Sequence, residues 1–410
     1  MKEVMMGCLV AVLLAAGTRA QEASSLPGGF VPAPAGVSVE SWVTGLEVPW
    51  SLVFLPDGRA LVSERGGTVR LIRKGTLEAA PYHEVAGTLA RGEGGLMGLA
   101  LHPQFPRQPY VYAMHTTREG NRVVRLVDQG DKARLDRVVV DGIPAGGAHN
   151  GGRIAFGPDG MLYVAAGETF RGDLAQDLAS RGGKILRVTP DGEIPRDNPF
   201  PNSPVYSYGH RNPQGLAWHP RTGAFFSAEH GPTGERGWAG HDELNRIEPG
   251  KNYGWPRVIG APGDARFVDP ILYFKEAVPP TNLAFAGDRL FVATLRSGGL
   301  LRVSLEQRNG AYAVTSVERW FCEPSGSRYG RLRDVVAGPD GALYVLTSNR
   351  DGRGRPREGD DRILRVSLSG DRRRRGGLTG SFLVLLEGIG RAVGEGLREP
   401  ESSSRSSSAP

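Results

Sequence analysis

The sequence predicts an all-β fold, a six-bladed β-propeller. Two observations carry this. One plan recurs six times along the 410 residues: an apolar strand, a turn, a second apolar strand, a polar loop and a third strand. Asp-Gly pairs at 57–58, 159–160 and 340–341 stand at equivalent turns, where a tight hairpin needs positive φ. The composition agrees. Gly (59) and Pro (30) make up about 22% of the chain, enough for many turns but short of a disordered composition.

The units follow in order. Val37 to Leu46, with SVESWV, reads as a strand that closes the ring by pairing with the last unit. Unit one is WSLVFLPDGRALVSERGGTVRLI, from Trp50. Unit two is GLMGLALHPQFPRQPYVYAMHTT, with NRVVRLV after it. Unit three is GRIAFGPDGMLYVAAGE, followed by GGKILRVTPDG. Unit four is QGLAWHPRTGAFFSAEHG, followed by ELNRIEPG. Unit five is TNLAFAGDRLFVATLRSGGLLRVSLE. Unit six is RDVVAGPDGALYVLTSNRDG, followed by DRILRVSLSG. Their turns recur every ~47–67 residues, the scale of a propeller blade. One such sheet cannot bury both faces, whereas six around an axis can, leaving only short edges. Gly182 to Phe200 reads as an insertion-like loop between units three and four.

The ends differ from the middle. Residues 1–20 read as an export signal: Lys2, an apolar run from Gly7 to Ala16, and Ala20 before the cleavage point. The expected location is therefore periplasmic or secreted. The apolar run is too short to span a bilayer, so no stable membrane insertion is expected. Residues 371–410 read as a dispensable extension, with a basic run at Arg372 to Arg375 and a Ser-rich end. The net charge of +6 is modest and owes much to that run, so it does not argue for nucleic acid as a partner. With Cys8 in the signal, the mature chain can form no internal disulfide, and Cys322 reads as a buried apolar filler.

Candidate functional residues fall on loops between units, where propellers place ligands at one end of the axis. His149 lies in GGAHNGGRIAF, and a neutral imidazole is a natural proton acceptor near pH 7. Glu93 precedes unit two. Arg211 and Asn212 precede unit four, Arg331 and Arg333 stand at the start of unit six, and Arg296 lies in unit five. Four arginines converging from different units call for a polyanionic ligand, because a guanidinium pairs carboxylates in a bidentate way. From Ser207 to Pro256 glycines, prolines and carboxylates cluster, a setting of inward carbonyls that suits calcium. The other seven histidines show no such setting.

The segments EGGLMGLALHPQF, AHNGGRIAFGPDGMLYV, GHRNPQGLAW, EHGP, DELNRIEPGKNYGWP and RLRDVVAGPDGALYVLT carry a family resemblance. Over about residues 37 to 370 the chain resembles the soluble quinoprotein glucose and sorbosone dehydrogenases, especially the aldose sugar dehydrogenase branch. The resemblance implies a six-bladed propeller with pyrroloquinoline quinone (PQQ) and calcium at the axis. It implies oxidation of an aldose sugar at C1 to a lactone, with electrons passed on to an external acceptor. His149 is then the general base at the C1 hydroxyl, with hydride passing from C1 to C5 of the quinone. Arg211 stabilises charge on the quinone oxygen, with Asn212 beside it. Glu93, Arg296, Arg331 and Arg333 face the cofactor. The carbonyls of Gly231 and Pro232 hold calcium at the quinone, and Glu243 with the Tyr253 carbonyl holds a second, structural calcium.

Two positions depart from the family pattern. Arg296 stands where a lysine is usual, and Glu93 where glucose-specific members have a glutamine. The loops that shape glucose specificity and dimer contacts are short, which favours a broad aldose range and a monomer. Two other readings share the fold: a calcium-dependent lactonase and a non-catalytic binding propeller.

Overall fold

The computed structural model describes residues 20–296 and 299–368. The expected signal, save Ala20, and the expected extension at 371–410 lie outside the described residues.

Six antiparallel sheets follow one another along the chain. Their first strands are Pro49–Phe54, Leu96–Leu101, Ile154–Phe156, Pro213–Trp218, Pro280–Ala286 and Leu332–Ala337. Each of these touches the next, and the sixth touches the first, so they form an inner ring. The fold is a six-bladed β-propeller. The outermost strand of blade six is Val37–Val43, which joins the two ends of the described chain in one sheet.

The three Asp-Gly turns share one design. Asp57, Asp159 and Asp340 each accept the N–H of the residue two places on, at 3.0, 3.2 and 3.1 Å. The glycine between them takes φ of 88°, 75° and 80°. These turns reverse the chain so that strand faces alternate between neighbouring blades. The core is accordingly a series of apolar layers between sheets. One joins Leu61, Leu71 and Val69 of blade one to Leu99, Val111 and Ala113 of blade two. Another joins Phe226 and Leu244 of blade four to Leu283 and Val292 of blade five.

The structure corrects the element count. Each blade has a fourth strand, which the three-strand unit lacked. In blades one, two and five these are Thr76–Glu84, Ala133–Ile143 and Ala311–Trp320. They face water on one side and mix charged with apolar residues, so they read as loops. Within Gly182 to Phe200, Lys184–Val188 is the third strand of blade three, as the unit-three segment GGKILRVTPDG led one to expect, and the loop begins after it. Two short strands before the closing strand were also missed. Gln21–Glu22 pairs in parallel with blade four, and Gly28–Val31 with blade five. Each covers an otherwise open sheet edge. Cys322 is buried, and burial pushes its thiol up, as suits an inert filler.

Blade two contains a buried histidine with a fixed tautomer. His115 Nε2 accepts from Arg122 Nε at 3.1 Å, so the proton sits on Nδ1, 3.0 Å from Thr88 Oγ1. Burial, with Arg122 adding to it, lowers its pKa to about 4. The folded value lies below the ordinary 6.5. This stability is therefore present above about pH 6.5 and lost as pH falls toward 4. We expect urea unfolding to show wild type losing about 2 kcal/mol more than His115→Gln between pH 7.5 and pH 5. Equal losses in both proteins would remove His115 from the acid response.

Candidate active site

A cavity of ≈ 560 Å³ lies where the loops of several blades meet around the inner ring. Its size suits a small-molecule site. Trp50 of blade one and Gln214 of blade four, both on first strands, line it. So do six arginines, Arg65, Arg211, Arg296, Arg331, Arg333 and Arg353, against two carboxylates, Glu93 and Asp351. Glu93, His149, Arg211, Arg296, Arg331 and Arg333 were singled out from the sequence, and one cavity brings them together.

Close loop packing makes this possible. Glu93 N–H donates to the Gly147 carbonyl at 2.9 Å. Gly92 has φ 60°, and a Cβ there would lie 2.0 Å from that same carbonyl oxygen, so only glycine fits. Glu93 Oε2 in turn accepts the His149 N–H at 3.1 Å, and its Oε1 accepts from Arg353 at 2.6 Å. Glu93 thus ties the loop before blade two to His149 and to blade six.

The His149 ring is held at both nitrogens. Arg211 Nη2 donates to Nε2 at 2.8 Å, because a guanidinium can only donate. Nε2 is therefore the lone-pair nitrogen, and Nδ1–H donates to Glu168 Oε1 at 2.5 Å. A carboxylate behind Nδ1 with the lone pair on Nε2, here accepting from Arg211, is the arrangement of a general base once that donor is exchanged for a substrate hydroxyl. Phe170 lies over the imidazole, ring centroids 3.9 Å apart, yet is 57% exposed. Arg211 is buried and also donates to Glu235, to the His230 carbonyl and to Thr233. Its own N–H donates to Glu229.

The floor beneath is charged and buried. Arg333 donates to Gln214 at 2.9 Å, and both Arg153 and Arg333 lie over the Trp50 ring, at 4.4 and 5.6 Å. Burial pushes the Arg333 guanidinium down to about 10, with Asp351 opposing. Arg331 donates to Asp351 at 2.8 Å and to the Leu295 carbonyl at 2.7 Å. Two buried nitrogens of residues that line the cavity, His230 Nε2 and Arg333 Nε, have no hydrogen-bond partner among the described residues. A buried polar group without a partner is costly, so both are open to a ligand.

The remaining residues lie elsewhere. Asn212 is buried behind the wall, donating to His230 and accepting from Gly151 N–H at 2.9 Å. It positions rather than lines. Gly231 and Pro232 come next in the chain after His230 without lining the cavity, and Gly231 N–H donates to Asp242 at 2.9 Å. Glu243 sits opposite Glu229 across blade four. Burial and the neighbouring Glu229 carboxylate push Glu243 well up. Tyr253 stacks on His210, ring centroids 4.7 Å apart. Among the described residues no group of three or more His, Cys, Asp and Glu could hold a metal. Sequence reasoning missed Glu168, Phe170 and His230. Glu168 and Phe170 sit in AAGETF, at the end of a strand of unit three, and only the fold turns them onto His149. His230 had a signal, its place beside Gly231 in EHGP.

A family model, Glucose / Sorbosone dehydrogenase, matches residues 46–364. The chain belongs to that family. The aldose sugar dehydrogenase of Escherichia coli is 35% identical over 356 residues, covering 78% of this chain and 92% of the relative. Quinoprotein glucose dehydrogenase B of Acinetobacter calcoaceticus is 31% identical, covering 74% and 84%. Among solved structures, the PQQ-bound aldose sugar dehydrogenase of Streptomyces coelicolor is 43% identical with a TM-score of 0.73, covering 82% of this chain and 99% of that one.

Proposed function

We propose that this protein oxidises aldose sugars at C1 to lactones, using PQQ and calcium, and passes the electrons to an external acceptor. The observation that carries the reading is His149, locked by Glu168 with its lone pair on Nε2, in a cavity with a surplus of arginines. A quinone bearing three carboxylates suits six guanidiniums that have only two carboxylates beside them in the cavity. Two orphaned nitrogens, on His230 and Arg333, fit oxygen acceptors on such a ligand. Calcium fits the rim only through main-chain carbonyls such as those of Gly231 and Pro232, since no carboxylate cluster is present among the described residues. The Glu229 and Glu243 carboxylates, facing each other across blade four, favour a second cation beside the Tyr253 carbonyl.

The chemistry that the quinone supplies is two-electron acceptance, with calcium as the Lewis acid that polarises it. The chain does the rest. Arg331 and Arg333 hold the anionic ligand, and Arg296 stands at the rim. Arg211, the donor on Nε2, would hold an anionic oxygen of the quinone, which would leave His149 Nε2 to the sugar. Nε2 then takes the C1 hydroxyl proton, and Glu168 holds Nδ1–H and steadies the imidazolium. Phe170 shields that side from water. The lysine-to-arginine change at 296 keeps the charge and widens the fork.

An export signal at residues 1–20 would place the protein in the periplasm or outside the cell, and the short loops favour a monomer. No helix among the described residues is long and apolar enough to cross a membrane. Reconstitution of quinone-free, calcium-free protein, with sugar-dependent dye reduction as the readout, tests the reading.

A further inference from the structure

Lys184 opens the third strand of blade three and has no solvent exposure. Its ammonium donates to three main-chain carbonyls, Leu174 at 2.6 Å, Gly182 at 2.7 Å and Ala175 at 3.1 Å. That satisfies all three of its donors. Burial pushes its pKa down to about 7, with Asp177 opposing. A buried cation is costly to keep, and an apolar side chain would serve packing alone as well.

All three acceptors belong to one loop, residues 167–183. That loop begins with Glu168, which holds His149, and Phe170, which covers it. Thr169 and Phe170 have φ of 57° and 61°, a left-handed pair unusual for residues with side chains. Such a turn persists only where its surroundings hold it, and relaxing it would carry Glu168 and Phe170 away from the imidazole. After the turn the loop makes a short 3-10 helix, Gly172–Ala175, and returns to Lys184. The Ala175 carbonyl also accepts the N–H of Gly209, two residues before Arg211. The lysine therefore gathers the far side of the loop whose near side forms the base.

We propose that Lys184 is a positioning residue for the oxidation: by gathering the carbonyls of Leu174, Ala175 and Gly182 it fixes the 167–183 loop in the shape that keeps Glu168 on His149. This rests on the dehydrogenase reading above.

The test is a double-mutant cycle on the holoenzyme with amide hydrogen exchange on the quinone-free protein. Lys184→Met is expected to lower kcat about tenfold or more while KM and quinone affinity stay within about twofold. In a Glu168→Gln background the same change should cost less than about twofold, because its route of action is already lost. Amides of the loop should exchange about tenfold faster in Lys184→Met than in wild type. An unchanged kcat, or an equal loss in both backgrounds, overturns the proposal. If Lys184→Met does not fold, Lys184→Leu, which also removes every donor, is read the same way. If wild type oxidises no sugar with quinone and calcium, the dehydrogenase reading fails instead. The exchange arm then stands alone, and equal protection in both proteins overturns the tether.

Discussion

Replacing His149 by Asn is expected to lower kcat by about 10² to 10⁴ while quinone affinity stays nearly unchanged. The range is the usual contribution of a general base. His149 is well placed for one, because Arg211 and Glu168 fix its tautomer with the lone pair on Nε2. Asn is short, keeps a polar end and leaves the arginine wall intact, so binding and chemistry separate. Single-turnover oxidation of a sugar, followed beside a quinone titration, reads both. Near-normal turnover in the variant would take His149 out of the mechanism.

Arg333→Ala is expected to act on affinity instead. Arg333 is buried, stacked against Trp50, and its Nε has no partner among the described residues. A charged hydrogen bond from it to a carboxylate or carbonyl of the quinone should contribute about 1.5–3 kcal/mol. That corresponds to a Kd raised roughly 10- to 150-fold. Ala also removes the packing on Trp50 and the bond to Gln214, so the melting temperature is followed to separate lost affinity from lost fold. Equilibrium titration of PQQ into the variant, with a thermal melt alongside, checks both. An unchanged Kd would mean that the ligand does not reach the floor of the cavity.

How much of this was legible in the sequence depends on where each signal resides. The Asp-Gly turns were readable because their chemistry is local: an Asp side chain, a positive-φ glycine and two strands within ten residues. The first strands were readable for the same reason, being almost wholly apolar. The fourth strands were not, apart from the closing strand Val37–Val43 of blade six. Thr76–Glu84 and Ala133–Ile143 lie at the outer rim, where one face meets water and charged residues break the apolar run. Gln21–Glu22 and Gly28–Val31 were invisible because their partners lie some 250–290 residues away, and nothing local requires a strand there.

The site divides in the same way. His149, Arg211, Arg331 and Arg333 stood out because polar residues in Gly-rich unit starts have no packing reason to be there. Glu168 was missed because its partner is 19 residues distant and a carboxylate at a strand end usually meets solvent. Asn212 was noticed for its neighbour but lies behind the wall, a distinction only three-dimensional packing makes. Lys184 looked like an ordinary strand residue, and its three carbonyl partners come from a loop whose path the sequence does not reveal.

The central claim is that the cavity holds a quinone and calcium for sugar oxidation. The most direct measurement takes the protein free of quinone and stripped with EDTA, then follows sugar-dependent dye reduction with neither, either or both restored. The account predicts activity only with both, with an aldonolactone as product. Full activity with neither added would contradict it. So would calcium-dependent lactone hydrolysis with no sugar-dependent dye reduction, which would mark the cavity as that of a hydrolase.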